Sequence, residues 1–503
     1  MARVFTPNDG AALLSAVVRE ATGQEVAIQT INVSNFASIG ETVLATGKEN
    51  VLNALSTVLF REMIAVRPYS ARFKSIRVKS RDLFEQRTRK ISYYAQDPCA
   101  SGAWNTNLWT NFADGFTNGQ NLDGNGDPQS VKSMWEQRPP KTMEKFFGGS
   151  TVWSDSYMVY ENQLDVAFRS AADLARFANG YIQEKMNDIE SQKEAYSRCA
   201  LLSSISQLAN TAGSMKGSFR NLTKEFNAEF GTNYTTAQLQ TTYLKEFLAF
   251  FVATVKTDVR RMENRSTLFH DPMTITDNGV EYSILRHTPR DRQHMICYAP
   301  FWTKAESYVM PSIFNESYLK LDNFEAIDFW QNELHPSEIN VTPAVLNKST
   351  GYQVQGSNVS IPYVLAYLFD EEACGVDFML DRAASTPLEA KKLYRSIWYH
   401  VCENMWADAS ERQILYVMSD TEVTVTNTLT KSTSDNSASA EFMYTEYSAN
   451  ITPDTGYSIT TATVYMGGTD ITSTAWTLDD DGVGHVYIPS VTGNIVITVT
   501  ATS

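Results

Sequence analysis

The sequence predicts a mixed α+β body followed by an all-β sandwich. Two observations support this prediction. Residues 162–206 are the strongest helical stretch, with no Gly or Pro between Gly180 and Gly213, and short apolar strands alternate with helices after it. After about Asp420 the helical signals disappear, and Thr, Ser and Val dominate short alternating strands separated by turn residues.

The composition is that of a folded protein with more than one domain. The chain has 503 residues, of which 43% are hydrophobic and 20% charged, which is unlike a disordered chain. A chain of this length ordinarily divides into two or three structural units. The formal net charge of −15 argues against a dedicated nucleic-acid binder, which normally has a basic surface.

The sequence contains no recognisable motif for catalysis, metal binding or cofactor binding. The five cysteines are widely spaced and include no CxxC pair, which favours free thiols over a disulfide framework or a zinc site. The six histidines form no HExxH motif, and the sequence has no GxSxG motif or glycine-rich phosphate loop. We therefore expect no enzymatic activity, no cofactor and no metal ion.

One short run resembles the start of a calcium-binding loop. Asp123, Asn125 and Asp127 follow the pattern D-x-N-x-D. Pro128 stands where the EF-hand pattern needs Gly, and no Glu occupies the twelfth position. We interpret the run as a turn within the Gly-, Asn- and Asp-rich residues 95–130.

The first 152 residues are predicted to form an arm and a long β loop. Residues 1–66 have the pattern of an extended arm with one short helix, which Pro68 ends. Residues 67–152 contain two extended stretches on either side of the turn-rich segment. The N-terminus lacks the pattern of a secretory signal, and no run of 18 apolar residues predicts a membrane span.

The most informative charge feature is a basic stretch within this loop, where only Asp82 and Glu85 are acidic. Two interpretations remain open: contact with nucleic-acid phosphates, and pairing with acidic neighbouring subunits, which the acidity of the rest of the chain favours. The predicted subunit-contact residues are Arg67, Arg72, Lys74, Arg77, Lys79, Arg81, Arg87, Arg89 and Lys90.

Residues 153–269 are predicted to contain the long helix and a second helix at 235–262, with Thr235 or Thr236 as its N-cap. The apolar stripe of the long helix is predicted to run through Met186 and Ile189 to Cys199.

Residues 270–393 are predicted to mix strands with one helix at 301–314. The predicted strands are 294–299, 324–330 and 359–370. Residues 394–420 are predicted to contain two aromatic-rich strands that pair around a short turn. Residues 421–503 have nine acids against the single Lys431, and they are predicted to form a separate, exposed sandwich domain.

The order of these elements resembles the Hong Kong 97 capsid fold, and more closely the major capsid protein of phi-29-like short-tailed bacteriophages. The resemblance covers roughly residues 60–420. It is based on the stretches LDVAFRSAADLARFANGYIQEKMNDIESQKEAYSRCALL, LKEFLAFFVATVKTDVRRMENRSTLFH, PRDRQHMICYAPFWTKAESYVMPSIFNESYLKLDNFEAIDFW and LYRSIWYHVCENMWADASERQILYVMSD. It implies an N-terminal arm (1–66), an extended loop (67–152), a spine helix with peripheral domain (153–269), an axial domain (270–393) and peripheral-domain strands (394–420).

The last segment, 421–503, resembles a bacterial immunoglobulin-like domain, in the stretches ITPDTGYSIT, VYMGGTDITSTAW and IPSVTGNIVITVTA. The two resemblances together imply hexamers and pentamers of an icosahedral or prolate shell around double-stranded DNA, held without sequence specificity. They also imply a scaffolding protein, a portal, assembly in the host cytoplasm, and contact of 421–503 with a host surface or carbohydrate. The alternatives are a cell-surface binding protein with an immunoglobulin-like module and a hydrolase with an accessory β domain.

Overall fold

The structure is a computed structural model that describes residues 14–16, 72–78, 88–94, 141–147, 151–160, 170, 183–210, 217–266, 269–270, 273–277, 280–308, 323–342, 344–346, 353–355 and 358–502. These residues form a mixed α+β protein, as predicted. The chain divides into two compact units. Unit 1 contains Met1–Thr88, Gly148–Arg198 and Val376–Met405, and unit 2 contains Arg89–Phe147, Cys199–Gly375 and Trp406–Ser503.

The described elements are numbered in chain order. The α-helices are α1 (Gln183–Asn210), α2 (Leu222–Phe230), α3 (Thr236–Thr241), α4 (Leu244–Met262), α5 (Ala299–Tyr308) and α6 (Thr472–Ala475). Short 3-10 helices occupy Lys74–Ile76 and Arg290–Arg292. The strands before residue 420 are β1 (Arg77–Val78), β2 (Thr88–Tyr94), β3 (Lys141–Phe147), β4 (Thr151–Tyr160), β5 (Phe219–Asn221), β6 (Met273–Asp277), β7 (Val280–Ile284), β8 (Gln293–Tyr298), β9 (Asn323–Ile327), β10 (Ile339–Val341), β11 (Ala344–Leu346), β12 (Gln353–Gln355), β13 (Val359–Ile361), β14 (Val364–Asp370), β15 (Cys374–Ser385), β16 (Tyr394–Ala407) and β17 (Gln413–Val417). The later strands are β18 (Glu422–Thr430), β19 (Ser432–Ser434), β20 (Ala440–Phe442), β21 (Tyr447–Pro453), β22 (Ser458–Met466), β23 (Thr469–Asp470), β24 (Trp476–Leu478), β25 (Gly484–Ile488) and β26 (Ile495–Thr502).

Unit 1 is built on a four-stranded sheet in the order β1-β15-β16-β4. The long strands β4 and β16 pair antiparallel from Tyr160↔Tyr394 to Thr151↔Glu403. Side chains on one face, such as Ile397 and Val401, are buried. Because strand residues alternate between faces, the intervening residues form the opposite face of this sheet.

The long helix is confirmed over the described residues 183–210. Ser170, however, lies within the predicted helix but outside any helix of the structure. The segment without Gly or Pro begins only after Gly180, a residue of low helix propensity.

The predicted apolar stripe is wrong at Cys199, which is exposed, although Met186 and Ile189 are buried. Cys199 follows Met186 by thirteen residues, which places it about 220° around a helix of 3.6 residues per turn. Within unit 1 the buried face of α1 instead includes the polar residues Glu190 and Lys193.

The core of unit 2 surrounds a five-stranded sheet in the order β5-β17-β14-β8-β9. Strands β8, β14 and β17 are buried at every position, as expected for strands covered on both faces. Aromatic side chains of α2 and α4 pack against this sheet in one cluster, which includes Phe226, Phe247, Phe251, Phe301 and Tyr416. The strands predicted at 294–299, 324–330 and 359–370 are confirmed, the last as β13 and β14.

The predicted helix at 235–262 is two helices, α3 and α4, separated at Thr242 and Tyr243. These residues have low helix propensity, and Tyr243 stacks on Tyr234 with ring centres 3.9 Å apart. The predicted cap is confirmed at Thr235, which forms a reciprocal capping box with Gln238.

The prediction that the strands of 394–418 pair with each other is wrong. Strand β16 pairs with β4, whereas β17 pairs with β14 and β5. The burial patterns give the reason: β16 alternates between buried and more exposed residues, and β17 is buried throughout. Two strands with such different surroundings belong in different sheets.

Residues 422–502 form the predicted two-sheet sandwich, with sheet orders β20-β18-β26-β22-β23 and β19-β21-β25-β24. Side chains from both sheets share one core, including Tyr447, Ile451, Val486 and Ile497. The short alternating strands predicted from the sequence are confirmed, among them β18, β21, β22, β24, β25 and β26. The short strands β19, β20 and β23 were not predicted.

The sandwich contacts the rest of unit 2 through side chains as well as through the connecting chain. Tyr444 stacks on Phe219 with ring centres 5.5 Å apart, and its hydroxyl donates to the Ser360 carbonyl at 3.0 Å. The Asn221 side-chain amide donates to the Met443 carbonyl at 2.8 Å. These contacts fix the sandwich against the body of unit 2, while the predicted domain boundary at 421 stays a prediction.

Candidate functional site

The predicted basic contact residues are distributed between the two units. In unit 1 the structure describes the side chains of Arg72, Lys74 and Arg77, and in unit 2 that of Lys90. Only the backbone of Arg89 is described, within β2. Arg67, Lys79, Arg81 and Arg87 lie outside the described residues.

Arg77 is bound by α1 within unit 1. Its Nη1 lies 3.3 Å from Glu190 Oε2, and its Nε donates to Ser197 Oγ at 3.1 Å. Its guanidinium also lies 5.7 Å from the ring centre of Phe378, within cation–π range. The Arg77 side chain is only 11% exposed, so its charge stabilises its own chain. Arg72 and Lys74 are exposed.

Lys90 belongs to a group of six charged side chains in unit 2, which we call the charge cluster. Its ammonium lies 3.0 Å from Glu372 Oε2 and 3.3 Å from Asp408 Oδ2, and it also contacts Glu411. The other cations are Lys145, whose Nζ is 3.5 Å from Asp408 Oδ1, and Arg286, whose Nη1 is 3.0 Å from Glu411 Oε1. The members are Lys90, Lys145, Arg286, Glu372, Asp408 and Glu411. Three cations therefore face three carboxylates, and Arg292 contacts Glu372 from the surface at 3.7 Å.

The two buried carboxylates of the charge cluster lie on the turn between β16 and β17. The Asp408 side chain accepts hydrogen bonds from the backbone N–H and hydroxyl of Ser410, at 3.0 and 2.6 Å. The Asp408 N–H donates to the Ala373 carbonyl at 2.7 Å, and the Gln413 side-chain amide donates to the Asp408 carbonyl at 2.8 Å. These hydrogen bonds therefore hold Asp408 in position independently of Lys90 and Lys145.

Burial and pairing shift the proton affinities of the cluster in different directions. Burial opposes ionisation of Asp408, but Lys145, Lys90 and the Ser410 hydrogen bonds outweigh it and hold the pKa of that carboxyl below its ordinary value. Burial raises the pKa of Glu411 against the attraction of Arg286 and Lys90. Burial also lowers the pKa of Lys145. Burial also tends to lower the pKa of Lys90, but the attraction of Glu411 and Asp408 outweighs this effect and raises the pKa.

The second feature of the site is the outer face of the β4–β16 pair in unit 1. Val152 and Met158 on β4 are 64% and 54% exposed, and Tyr160 and Trp398 on the same face are also exposed. Tyr160 contacts its cross-strand partner Tyr394 edge to face, with ring centres 6.1 Å apart. This outer face combines exposed large apolar side chains with Ser154, Ser156 and Ser396, and no element covers it among the described residues of its own unit.

A similar pattern occurs on the two-stranded β2–β3 sheet of unit 2, which we call the hairpin. Its outward side chains include Ile91, Tyr93 and Phe146, and Tyr93 is 62% exposed. Its inward side chains include Lys90 and Lys145. The hairpin therefore has both lysines towards the body, together with Met143 and Phe147, and three large apolar side chains towards solvent, together with Thr142 and Glu144.

The described histidine and cysteine side chains do not add a second site. Burial lowers the pKa of His270 and of His294 to about 4, so both are neutral at pH 7. Among the described residues no group of His, Cys, Asp and Glu is arranged to hold a metal ion, and residues 123–127 lie outside them. No described helix is long and apolar enough to cross a membrane.

Sequence reasoning identified Lys90 but missed its partners. The separations from Lys90 to Asp408 and Glu411 are 318 and 321 residues, and no local pattern connects residues so far apart. The acids of the stretch ADASERQ were visible in the sequence, but only the fold shows that they face a lysine of the basic loop.

The chain matches a known protein family. The model described as Phi29-like phage major capsid protein matches residues 115–416, which is more than half of the chain. No curated protein sequence matches the chain.

Similar solved structures come from bacteriophages. A chain of the capsid structure of Staphylococcus phage Andhra is 13% identical, with a TM-score of 0.44, and the match covers 70% of this chain and 84% of that chain. A chain from the structure of the head fiber and inner core protein gp22 of native bacteriophage P68 is 12% identical, with a TM-score of 0.41, and the match covers 70% of this chain and 85% of that chain.

Proposed function

Because this chain belongs to the family of Phi29-like phage major capsid proteins, which form the shell of the phage head, we propose that its copies contact one another through the outward apolar faces of β4–β16 and of the β2–β3 hairpin. The body then has the Hong Kong 97-like capsid fold, with the long helix α1 as its spine. Hexamers and pentamers of the chain enclose double-stranded DNA, and a scaffolding protein and a portal take part in assembly. The chain has no catalytic role, and it needs no cofactor.

The observation that supports these contacts most directly is the outer face of β4–β16. Soluble proteins rarely leave contiguous apolar patches uncovered unless the patch binds another molecule. Burying one large apolar side chain contributes about 1.5–3 kcal/mol. Weak contacts of this kind add up over a closed shell because each copy makes them simultaneously with several neighbours.

The predicted basic residues fit the same proposal in different ways. Arg72 and Lys74 are exposed, so a neighbouring copy can contact them in addition to their own chain. Arg77 and Lys90 pair with acids of their own chain. Their role in assembly is therefore to hold contact segments in place, in addition to any charge they present to a neighbour.

We assign the sandwich to the outer surface of the shell as an immunoglobulin-like domain. Two mainly antiparallel sheets that share one core are typical of that architecture. Its nine acids against one lysine suit a domain that faces solvent rather than packaged DNA, which repels acidic surfaces. On the outside, the sandwich is placed to contact a host surface or carbohydrate.

The test compares two exposed apolar residues of similar accessibility. Met158, on the outer face of β4, is 54% exposed, and Leu478, on the sandwich, is 52% exposed. Each is changed to Asp in chains expressed with the scaffolding protein, and the products are examined by negative-stain electron microscopy and by thermal unfolding. We expect wild-type and Leu478→Asp chains to form closed shells, and folded Met158→Asp chains to remain unassembled. Normal shells from Met158→Asp would rule out the β4–β16 contact.

A further inference from the structure

We propose that Asp408, Glu411 and Arg286 are positioning residues for assembly. Through the charge cluster they set the direction in which the β2–β3 hairpin leaves the body of unit 2, and so they orient the apolar contact face of the hairpin. This inference rests on the proposed function, because it takes the hairpin as a contact element between copies.

The alternation of side chains along the two strands puts both hairpin lysines on the inward face. On β2, Ile91 and Tyr93 are exposed and Lys90 is half-buried, and on β3, Phe146 is exposed and Lys145 is half-buried. A one-residue slip of either strand would exchange the two faces. Because the lysines bind acids of the body, they select the register and the side that faces outward.

Charge contacts dominate the described part of this attachment. Among the described side chains of the hairpin, Phe147 is the hydrophobic one that is buried, and it lies at the end of β3. With Met143 only half-buried on the same face, apolar burial alone holds the strands weakly. The contacts of Lys90 with three carboxylates and of Lys145 with Asp408 and Ser410 fix their orientation.

The acceptor side of the cluster is rigid. Arg286 Nη1 donates to the Ser410 carbonyl at 2.7 Å and also pairs with Glu411, which ties the turn to the segment after β7. The turn continues directly into β17, a buried strand of the central sheet. Because the carboxylates are held in place, each lysine ammonium has one favourable position. Removing the carboxylate partner of a buried ammonium strongly destabilises the folded chain.

The test uses the charge balance of the cluster. Glu411→Gln leaves an excess cation, Lys90→Met leaves an excess anion, and the double variant restores equal numbers. The first readout is hydrogen exchange of residues 88–94 and 141–147 in the full-length chain before assembly. We expect each single variant to raise exchange in these strands by at least about tenfold without changing exchange in β14. We expect the double variant to return towards wild type.

The second readout is the yield of closed shells, which should fall in both single variants and recover in the double variant. Glu338→Gln is the matched control, because Glu338 is an exposed carboxylate of unit 2 whose side chain lies 3.7 Å from His335. If the Lys90 variants do not fold, Lys145→Gln changes a more exposed member of the cluster and should give the same pattern more weakly.

Unchanged hydrogen exchange of the hairpin strands in the single variants would overturn the inference. Altered hydrogen exchange together with a normal yield of closed shells would also overturn it. These results are distinct from a failure of the proposed function. In that case Tyr93→Asp, which changes the outward face of the hairpin and leaves the charge cluster intact, would form normal shells.

Discussion

Removing the Tyr444 side chain should release the sandwich from the body of unit 2. Tyr444 is 2% exposed, stacks on Phe219 and donates its hydroxyl hydrogen to the Ser360 carbonyl. Burial raises the pKa of this phenol, so it remains a protonated donor at every pH of interest. Tyr444→Phe keeps the stack and loses one hydrogen bond, which is worth about 1 kcal/mol. Tyr444→Ala loses the ring as well, and such truncations cost about 3–5 kcal/mol.

The measurement is urea unfolding of the unassembled full-length chain, together with hydrogen exchange of Phe219–Asn221. The free energy of unfolding should decrease from wild type to Tyr444→Phe and again to Tyr444→Ala. The second decrease, which comes from loss of the ring, should be the larger. Exchange of Phe219–Asn221 should rise in the Ala variant. Tyr465→Ala is the control, because Tyr465 is an exposed aromatic of the same sandwich, and it should change the free energy of unfolding by less than about 1 kcal/mol.

The same variant separates the role of the sandwich from that of the body. If the contact faces lie on the hairpin and on β4–β16, Tyr444→Ala chains should still form shells, with weakened electron-microscopy density for residues 421–503. Two results together would refute the sandwich contact: a free energy of unfolding for Tyr444→Ala within about 1 kcal/mol of the wild-type value, and a sandwich that stays ordered on the shell.

Two further predictions concern stability. Burial lowers the pKa of His270 and His294 to about 4, whereas an unfolded histidine has a pKa of about 6.5. As the pH falls below 6.5 the unfolded chain therefore gains protons that the folded chain does not, and the free energy of unfolding should decrease by up to about 1.4 kcal/mol per pH unit per histidine. Urea unfolding between pH 7 and pH 5 measures this slope, which His270→Gln should reduce. An unchanged slope would contradict the assignment. Gly375→Ala should destabilise by about 1–3 kcal/mol, because the added Cβ would lie 2.2 Å from Trp406 Cζ2. A thermal unfolding curve identical to that of wild type would contradict this close approach.

The sequence predicted the elements whose signals are local. Thr235 was one of two predicted N-caps, and it caps α3 through Gln238, because capping depends on residues three positions apart. The strands of the sandwich were predicted because alternation along one strand reports which face is buried. The order of elements also gave the family, and the match over residues 115–416 confirms it.

The features that the sequence did not predict depend on distant residues. The pairing of β16 with β4 joins Tyr394 to Tyr160, and neither strand contains information about its partner. The exposure of Cys199 follows from its angular position on α1, several turns after Met186. On the buried face of that helix, polar residues such as Lys193 occupy positions where apolar residues were expected. For the candidate site, the sequence predicted Lys90, whereas Lys145, Arg286 and the three carboxylates were found only in the fold.

The distribution of charged and apolar side chains gives the most general argument for assembly. In a self-sufficient globular protein, ionised groups are seldom buried and large apolar groups seldom form an exposed surface. The β2–β3 hairpin and the β4–β16 pair show the opposite arrangement. Lys90 pairs with buried Asp408 and Glu411, while Tyr93 and Met158 face solvent.

A buried ion pair adds little net stability, since desolvation offsets most of the attraction, but it is strongly directional. An exposed apolar face is unfavourable for a single chain and favourable once a second copy covers it. The two features together describe a chain that uses charge to orient its contact surfaces and apolar burial to bind its neighbours. Raising the salt concentration should therefore have little effect on the buried charge cluster, because buried pairs are screened less than exposed ones. Shells should consequently keep their apolar contacts in high salt, and their dissociation by about 1 M NaCl would contradict this division of roles.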